Sequence, residues 1–274
     1  MITKVTYQKE FQSDLKRVNS RLESYLEKQS EDNVHDLRTA LRRVETRSQI
    51  LQKRLRKKEL GDYLSLSKRL FKSTTEIRDL DIIKDQLSQR HHLSSNDPLI
   101  KEINARRKKL VPKSKKLSRK LEGAKPEISS DNIKETKLRK KLQKLVSKRD
   151  RDITSLLPLV LKGPDRLEEL HSLRMNCKKL RYILEATHSD PKRIRTLVNW
   201  QNYLGKIHDY DVAVQYLSEV KSSPALVTII SEIKKTRNMQ YAEFVSLFRK
   251  RETEVPNQSV AVQKPINLAG VGQS

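Results

Sequence analysis

The chain of 274 residues carries a single cysteine, Cys177. No disulfide can form within it, and no set of thiolates can hold zinc. Glycine and proline are scarce, at six and nine residues, and β-branched runs are few. The turn chemistry of an all-β fold is therefore missing. Aromatic residues make up 5%, which argues against reading single-stranded nucleic acid by stacking. No apolar run approaches the ~18 residues of a membrane span. The N-terminal MITKVTYQKEFQSDLKR lacks the apolar core of a secretory signal. The expectation is a soluble, cytoplasmic protein with no membrane insertion.

What is plentiful is Leu, Lys, Arg, Glu and Gln, all good helix formers. The fold class expected is all-α. The formal net charge is +25 and the pI about 10.1, with 35% hydrophobic residues to build a core. So large an excess of one sign repels itself unless a polyanion offsets it. The partner classes this leaves are nucleic acid, an anionic membrane surface or a polyphosphate chain.

Apolar periodicity predicts eight helices. The first runs from Tyr7 to about Gln29, and the second, capped by SEDN, through His35 to about Lys58. Gly61-Asp62 is read as a break, followed by a helix from Tyr63 to Ser88 with a possible interruption at STTEIRDLD. A fourth runs from Pro98 to Leu121 with a kink expected at Pro112. The Gly-, Pro- and Ser-containing EGAKPEISSDN reads as a boundary. This divides the chain into a first half (1–122), a linker (123–132), a second half (133–251) and a disordered tail (252–274). In the second half, helices are expected from Ile133 to Leu161, kinked or broken near Pro158, from Pro164 to Thr187, from Lys192 to Ser218 and from Ala225 to Arg251.

The two halves share motifs. His35, Leu37, Arg38, Arg42 and Arg43 recur as His171, Leu173, Arg174, Lys178 and Lys179, each 136 residues on. Further along, Ile77, Asp79, Asp81 and Leu87 recur as Ile207, Asp209, Asp211 and Leu217, each 130 residues on. Two motifs in the same order point to an internal duplication, hence to two four-helix bundles related by pseudo-twofold symmetry.

On a wheel of about 100° per residue with His35 at zero, Arg38 and Arg42 fall near 300° and 340°. Val34, Leu37, Leu41 and Val44 fall opposite, between about 160° and 260°. Arg43 lies about 100° round from Arg42, so its membership is open. The second motif gives the same wheel, with Arg181 beside His171, Arg174 and Lys178, and with Cys177 on the apolar stripe. A charged helix face is usually just solvated, yet a solvated face has no use for His at a fixed offset in two copies. Paired bundles would bring both faces to a common axis as one basic groove. Arg47 and the run Lys137, Lys140, Lys141, Lys144 and Lys148, at three- and four-residue spacing, could extend its wall. Solvent exposure is an equal expectation for that run. The stretch Asp97–Lys125 is also dense in Lys and Arg. The acids Asp79, Asp81, Asp209 and Asp211 would repel an anion. Their expected role is to orient Arg or His side chains or to cap a helix, with no metal.

His-x-x-Arg-x-x-x-Arg-Arg at His35 and His-x-x-Arg-x-x-x-Lys-Lys-x-Arg-Tyr from His171 to Tyr182, together with LGKIHDYDV from Leu204 to Val212, resemble the signature of the CHAD family, the conserved histidine α-helical domain. The resemblance spans roughly residues 5 to 250. The first copy departs at Glu45 and Thr46, where the second has Arg181 and Tyr182. The resemblance implies a pair of four-helix bundles that binds inorganic polyphosphate in a basic central channel, in proteins often associated with polyphosphate granules. Some members are fused to a triphosphatase domain with a Glu-x-Glu-x-Lys signature, and the nearest string here, ETEVP, has Pro in place of Lys.

Residue chemistry agrees with that expectation. A polyphosphate has charge but no bases, so its site needs many cations and no stacking platform. Arg offers paired donors to phosphate oxygens and Lys a point charge. The site expected comprises His35, Arg38, Arg42, Arg43, His171, Arg174, Lys178, Lys179, Arg181 and Tyr182. Nucleic acid, RNA in particular, is the alternative ligand for the same surface. Catalysis is not expected. Phosphoryl hydrolysis normally uses a metal held by carboxylates, and no Gly-rich phosphate loop is present. No cofactor is implied.

Overall fold

The structure, a computed structural model, describes residues 3–51, 58–124, 126, 133–187, 189–220 and 223–254, with the side chains at 58 and 249–254 outside that description. Nine helices and no strand lie among the described residues: α1 (Lys4–Glu27), α2 (Glu31–Ile50), α3 (Lys58–Ser73), α4 (Thr75–Arg90), α5 (Pro98–Glu122), α6 (Glu135–Val160), α7 (Leu167–Ala186), α8 (Pro191–Glu219) and α9 (Pro224–Glu254). The protein is all-α.

Local chemistry sets the helix ends. Ser30 caps α2 by accepting from the Asn33 amide, with Glu31 and Asp32 in the first turn, where carboxylates meet the positive end of the helix dipole. Asp97 and Asp190 cap α5 and α8, each followed by a proline that has no amide hydrogen to leave unsatisfied. α5 and α6 continue through Pro112 and Pro158. Pro158 sits in the last turn of α6, and there the Tyr241 hydroxyl donates to the Val160 carbonyl at 2.8 Å. Gly61 breaks nothing: it lies in the first turn of α3, with Leu60 and Tyr63 buried beside it. The expected continuation of α2 to Lys58 and the expected disordered tail fall at 52–57 and 255–274, outside the described residues. So does most of the linker.

The predicted third helix is two, α3 and α4. At the break, the hydroxyls of Thr74 and Thr75 take the Phe71 carbonyl at 3.0 and 3.1 Å, and Thr74 also reaches the Leu70 carbonyl. Ser and Thr side chains compete for helix carbonyls in this way. The corresponding stretch of the second half, 130 residues on, reads Leu204-Gly205, and α8 runs through it unbroken.

Three apolar clusters hold the helices together. One gathers α1, α2, α3 and the end of α5 around Tyr7, Phe11, Leu37, Leu41 and Tyr63. A second joins α6, α7, the start of α8 and the end of α9 around Leu173, Cys177, Leu180 and Phe244. The third is built from both halves: Leu80, Ile83 and Leu87 of α4 and Ile100 and Ile103 of α5 pack with Tyr210, Ala213 and Leu217 of α8 and Ile233 of α9. Each fully buried Leu or Ile is worth about 1.5–3 kcal/mol, so this shared core fixes α4 against α8. Cys177 is fully buried, and burial pushes its thiol up to about 12, which suits a small apolar filler.

Within each Asp-x-Asp motif the second acid turns inward. Asp81 has a fully buried side chain and accepts from Arg107 Nε at 2.5 Å; Arg107 Nη2 in turn donates to the Gln29 carbonyl at 2.6 Å. Asp211 accepts from Arg237 Nε at 2.9 Å, and Arg237 donates to the Pro164 carbonyl at 2.8 Å. Each arginine thereby ties a helix pair to the end of a neighbouring segment. Removing one partner of a buried pair strands the other charge. Asp81→Ala should therefore cost about 3 kcal/mol. Asp211→Ala strands the Arg237 guanidinium, whose side chain is only 6% exposed and so cut off from water, and should likewise cost about 3 kcal/mol. Urea denaturation of the two variants checks both losses; a loss of about 1 kcal/mol or less in either would show that its pair behaves as a solvated surface pair.

Candidate anion-binding site

α2 and α7 carry the two copies of the basic motif. Their apolar faces, Val34–Leu37–Leu41–Val44 and Leu170–Leu173–Cys177–Leu180, are buried, so the opposite faces are directed out of the clusters. These helices pack on each other, and α4 packs on both α2 and α8. The consequence is a meeting of like charges. Burial lowers the Arg38 guanidinium to about 10, assisted by the nearby charges of Arg42, Arg78 and Arg174 and opposed by Asp79. Arg174 is likewise lowered by burial and by Arg42, against the pull of Asp209. Lys178 is the most perturbed: burial, then Arg42, Arg174 and Arg181, bring its ammonium down to about 6. The cations of α2 and α7 thus form one cluster.

Arg38 is held in place. Its Nη1 donates to the Phe71 carbonyl at 2.8 Å and to the hydroxyls of Thr74 and Thr75 at 3.0 and 3.2 Å. It plugs the break between α3 and α4. The Phe71 ring carries Arg38 at 4.1 Å and Arg42 at 4.9 Å from its centroid. Each such contact is worth about 0.5–2 kcal/mol, and together they keep two guanidinium groups side by side.

The first acid of each Asp-x-Asp motif belongs to this cluster, since residues two apart on a helix point to opposite sides. Asp79 sits among Arg38, His208, Asp209 and Arg78, and burial still raises its carboxyl above the usual range. Asp209 lies against Arg174 and Lys178. His171 stacks on His208 with ring centroids 5.4 Å apart, and burial, His208 and Arg174 lower its imidazole. His35 is exposed on the rim, with Nδ1 3.4 Å from Asp36.

Other predicted residues lie elsewhere. Arg43 lines a separate cleft of about 510 Å³ with Arg17, Arg47, Tyr182, Glu10 and Glu185. Its Nε is buried there without a hydrogen-bond partner among the described residues. Tyr182 is buried, close enough to influence Arg174, and Arg181 lies 4.9 Å over its ring. Arg181 also pairs with Glu185 at 3.6 Å. Lys179 faces α6, where Arg149 and Lys148 help burial to lower its ammonium. Lys137, Lys140, Lys144 and Lys148 are exposed on α6 and Lys141 is half-buried. None of the five is among the groups that perturb Arg38, Arg174 or Lys178.

Arg47 does not line a channel wall. It is 5% exposed, donates to Asp14 at 2.6 Å, to the Ala186 carbonyl at 2.9 Å and to Glu10 at 3.5 Å, and so ties α1 and α2 to the end of α7. An arginine with its donors so engaged has little left for a ligand.

Three residues of the cluster escaped the sequence reading. Arg78 and His208 occupy matching positions next to Asp79 and Asp209, and the motif alignment held that signal. Phe71 could not be found this way, because its counterpart is Gln201 and the repeat gives no hint of a ring.

The sequence model of the CHAD domain matches residues 10–218. Among solved structures, the chain is similar to the CHAD domain from the plant Ricinus communis, with a TM-score of 0.59 at 15% identity over 92% of each chain. It is also similar to PptA from Streptomyces chartreusis, with a TM-score of 0.63 at 13% identity over 92% of this chain and 100% of that one. No curated protein matches. The family match covers most of the chain, and the two structures share its fold end to end: the chain belongs to the CHAD family.

Proposed function

We propose that this protein binds inorganic polyphosphate, without turning it over, at the cluster formed by Arg38, Arg42, Arg174 and Lys178. The observation that carries the reading is the convergence of cations from α2 and α7, close enough to lower one another's pKa with only Asp79 and Asp209 as local counter-charge. Folding alone gives no reason to assemble such a group; a bound polyanion supplies one. The rings nearby are already covered, Phe71 by two guanidinium groups and Tyr182 by Arg181. That favours a ligand without bases over RNA. No described helix is long and apolar enough to cross a membrane, and we place the protein in the cytoplasm, where polyphosphate granules are the setting the family suggests.

The same proposal takes the two halves as pseudo-twofold copies that present their motifs to a shared groove. The matching ion pairs Arg107–Asp81 and Arg237–Asp211, each 26 residues apart in sequence, support it.

Arg42 and Arg174 offer a clean test, because Arg38 also anchors the α3–α4 break. Arg42→Ala with Arg174→Ala should weaken long-chain polyphosphate binding at least tenfold at physiological salt and make its salt dependence shallower by about two ions, with the far-UV circular dichroism spectrum unchanged. Polyphosphate should displace labelled ligand far better than tRNA of equal charge. Equal competition would move the assignment to nucleic acid, and orthophosphate release with Mg²⁺ would overturn the absence of turnover.

Proton linkage gives a second test. Free Lys178 loses its proton above about 6, and a phosphate beside it favours the charged form. Binding then takes up a proton, so affinity should be highest below pH 6 and fall as pH rises above it. His171, also lowered, acts in the same direction. In the free protein the sign is opposite. The unfolded chain holds the Lys178 proton up to the ordinary value of 10.5, so stability rises with pH between about 6 and 10.5. Lys178→Met should bind more weakly, lose most of the pH dependence of binding and melt at a higher temperature at pH 7. Calorimetric titrations in buffers of different ionisation heat measure the proton uptake, and thermal melts measure the stability.

A further inference from the structure

A second basic concavity lies outside the cluster, between α3 and α5. It is a cleft of about 600 Å³ lined by Arg69, Lys72, Lys113, Lys116 and Lys120, with Leu110 and Leu117 among its apolar residues. All five cations are exposed. Arg69 and Lys72 stand three apart on α3, and Lys113, Lys116 and Lys120 follow a three- and four-residue spacing on α5. Each set makes one stripe, and the two stripes share the cleft. Like charges at these spacings oppose helix formation, and among the described residues none of the five makes an ion pair. The one acid present, Glu76, is already held by Arg106 at 2.7 Å.

The internal repeat shows that the fold does not require these charges. At the 130-residue offset that relates Arg107 to Arg237, only Lys120 meets another cation, Lys250; the positions of Arg69, Lys72, Lys113 and Lys116 hold Asn199, Asn202, Glu243 and Ser246. The second half packs its helices with no such stripe. The cations are therefore a property of this face and not of the architecture.

We propose that the α3–α5 cleft is a second polyphosphate-binding site, which engages a further stretch of the same chain that occupies the central cluster. The inference rests on the reading above. Flexible lysines over an apolar floor suit a mobile run of phosphates, and no ring lines the cleft on which a base could stack. Ser73 places the cleft beside the α3–α4 break that Arg38 plugs from the cluster side. One long chain can thus meet both sites, and the second contact is then made at the high effective concentration of a tethered ligand.

The test compares wild type, a cleft variant (Lys72→Gln, Lys113→Gln, Lys116→Gln, Lys120→Gln) and a cluster variant (Arg42→Ala, Arg174→Ala), titrated with tripolyphosphate and with long-chain polyphosphate. Wild type should take two tripolyphosphate ions, and each variant one. The cleft variant should lose about tenfold or more in affinity for the long chain while keeping the central tripolyphosphate site and melting no lower than wild type. A cleft variant that still takes two tripolyphosphate ions, or binds the long chain as wild type does, overturns the proposal and leaves the central site standing. Loss of duplex RNA binding without loss of polyphosphate binding overturns it in favour of nucleic acid. If wild type binds neither polyphosphate, the central reading itself has failed.

Discussion

The constraint on which the structure depends is repulsion. Arg38, Arg42, Arg174 and Lys178 are brought together in a partly buried seam, where Coulomb forces are stronger than in water. Every neighbouring feature answers to it. Leu37, Leu41, Leu173 and Cys177 commit α2 and α7 to their apolar clusters, so the basic faces have nowhere else to turn. The core shared by α4, α5, α8 and α9 keeps Asp79 and Asp209 at the seam. Phe71 accepts two guanidinium groups on its ring, and Lys178 relieves the remaining strain by giving up its proton. A site assembled at such a cost is preorganised: the folded chain has already done the work of gathering cations that a flexible chain would have to do on binding.

Much of this was legible in the sequence because a helix converts spacing into direction. The wheel of the first motif separated His35, Arg38 and Arg42 from Leu37 and Leu41, and the duplicate did the same. It placed Cys177 among the leucines. It left Arg43 open, about 100° round from Arg42, and Arg43 lies with Arg47 in the cleft against α1 and the end of α7. What a wheel cannot supply is the neighbour. Arg47 is a cation by sequence and an interior tie by structure, because Asp14 of α1 and the Ala186 carbonyl happen to meet it. Arg107 and Arg237 were hidden among other basic residues, and only their acid partners, Asp81 and Asp211, distinguish them. The break at Thr74 was legible as a run of Thr, but its use as the seat of Arg38 was not, since that depends on a carbonyl freed by tertiary packing.

The duplicated motifs are equivalent in position but not in chemistry. At matching places, the first half offers Arg42 and the second Lys178. Guanidinium groups keep their charge at any physiological pH, whereas ammonium and imidazole groups release it when crowded. Arg42 therefore contributes fixed charge where Lys178 contributes adjustable charge, beside the Arg38 and Arg174 that the two halves share. The arrangement follows from the repulsion itself, because a seam of arginines alone could not lower its energy by deprotonation. A phosphate chain entering the seam, as proposed, would reverse the balance: it would compensate the fixed charges of Arg38, Arg42 and Arg174 and draw protons back onto Lys178 and His171 of α7. The imperfection of the repeat is thus what lets the same cluster stay folded when empty and be strongly cationic when filled.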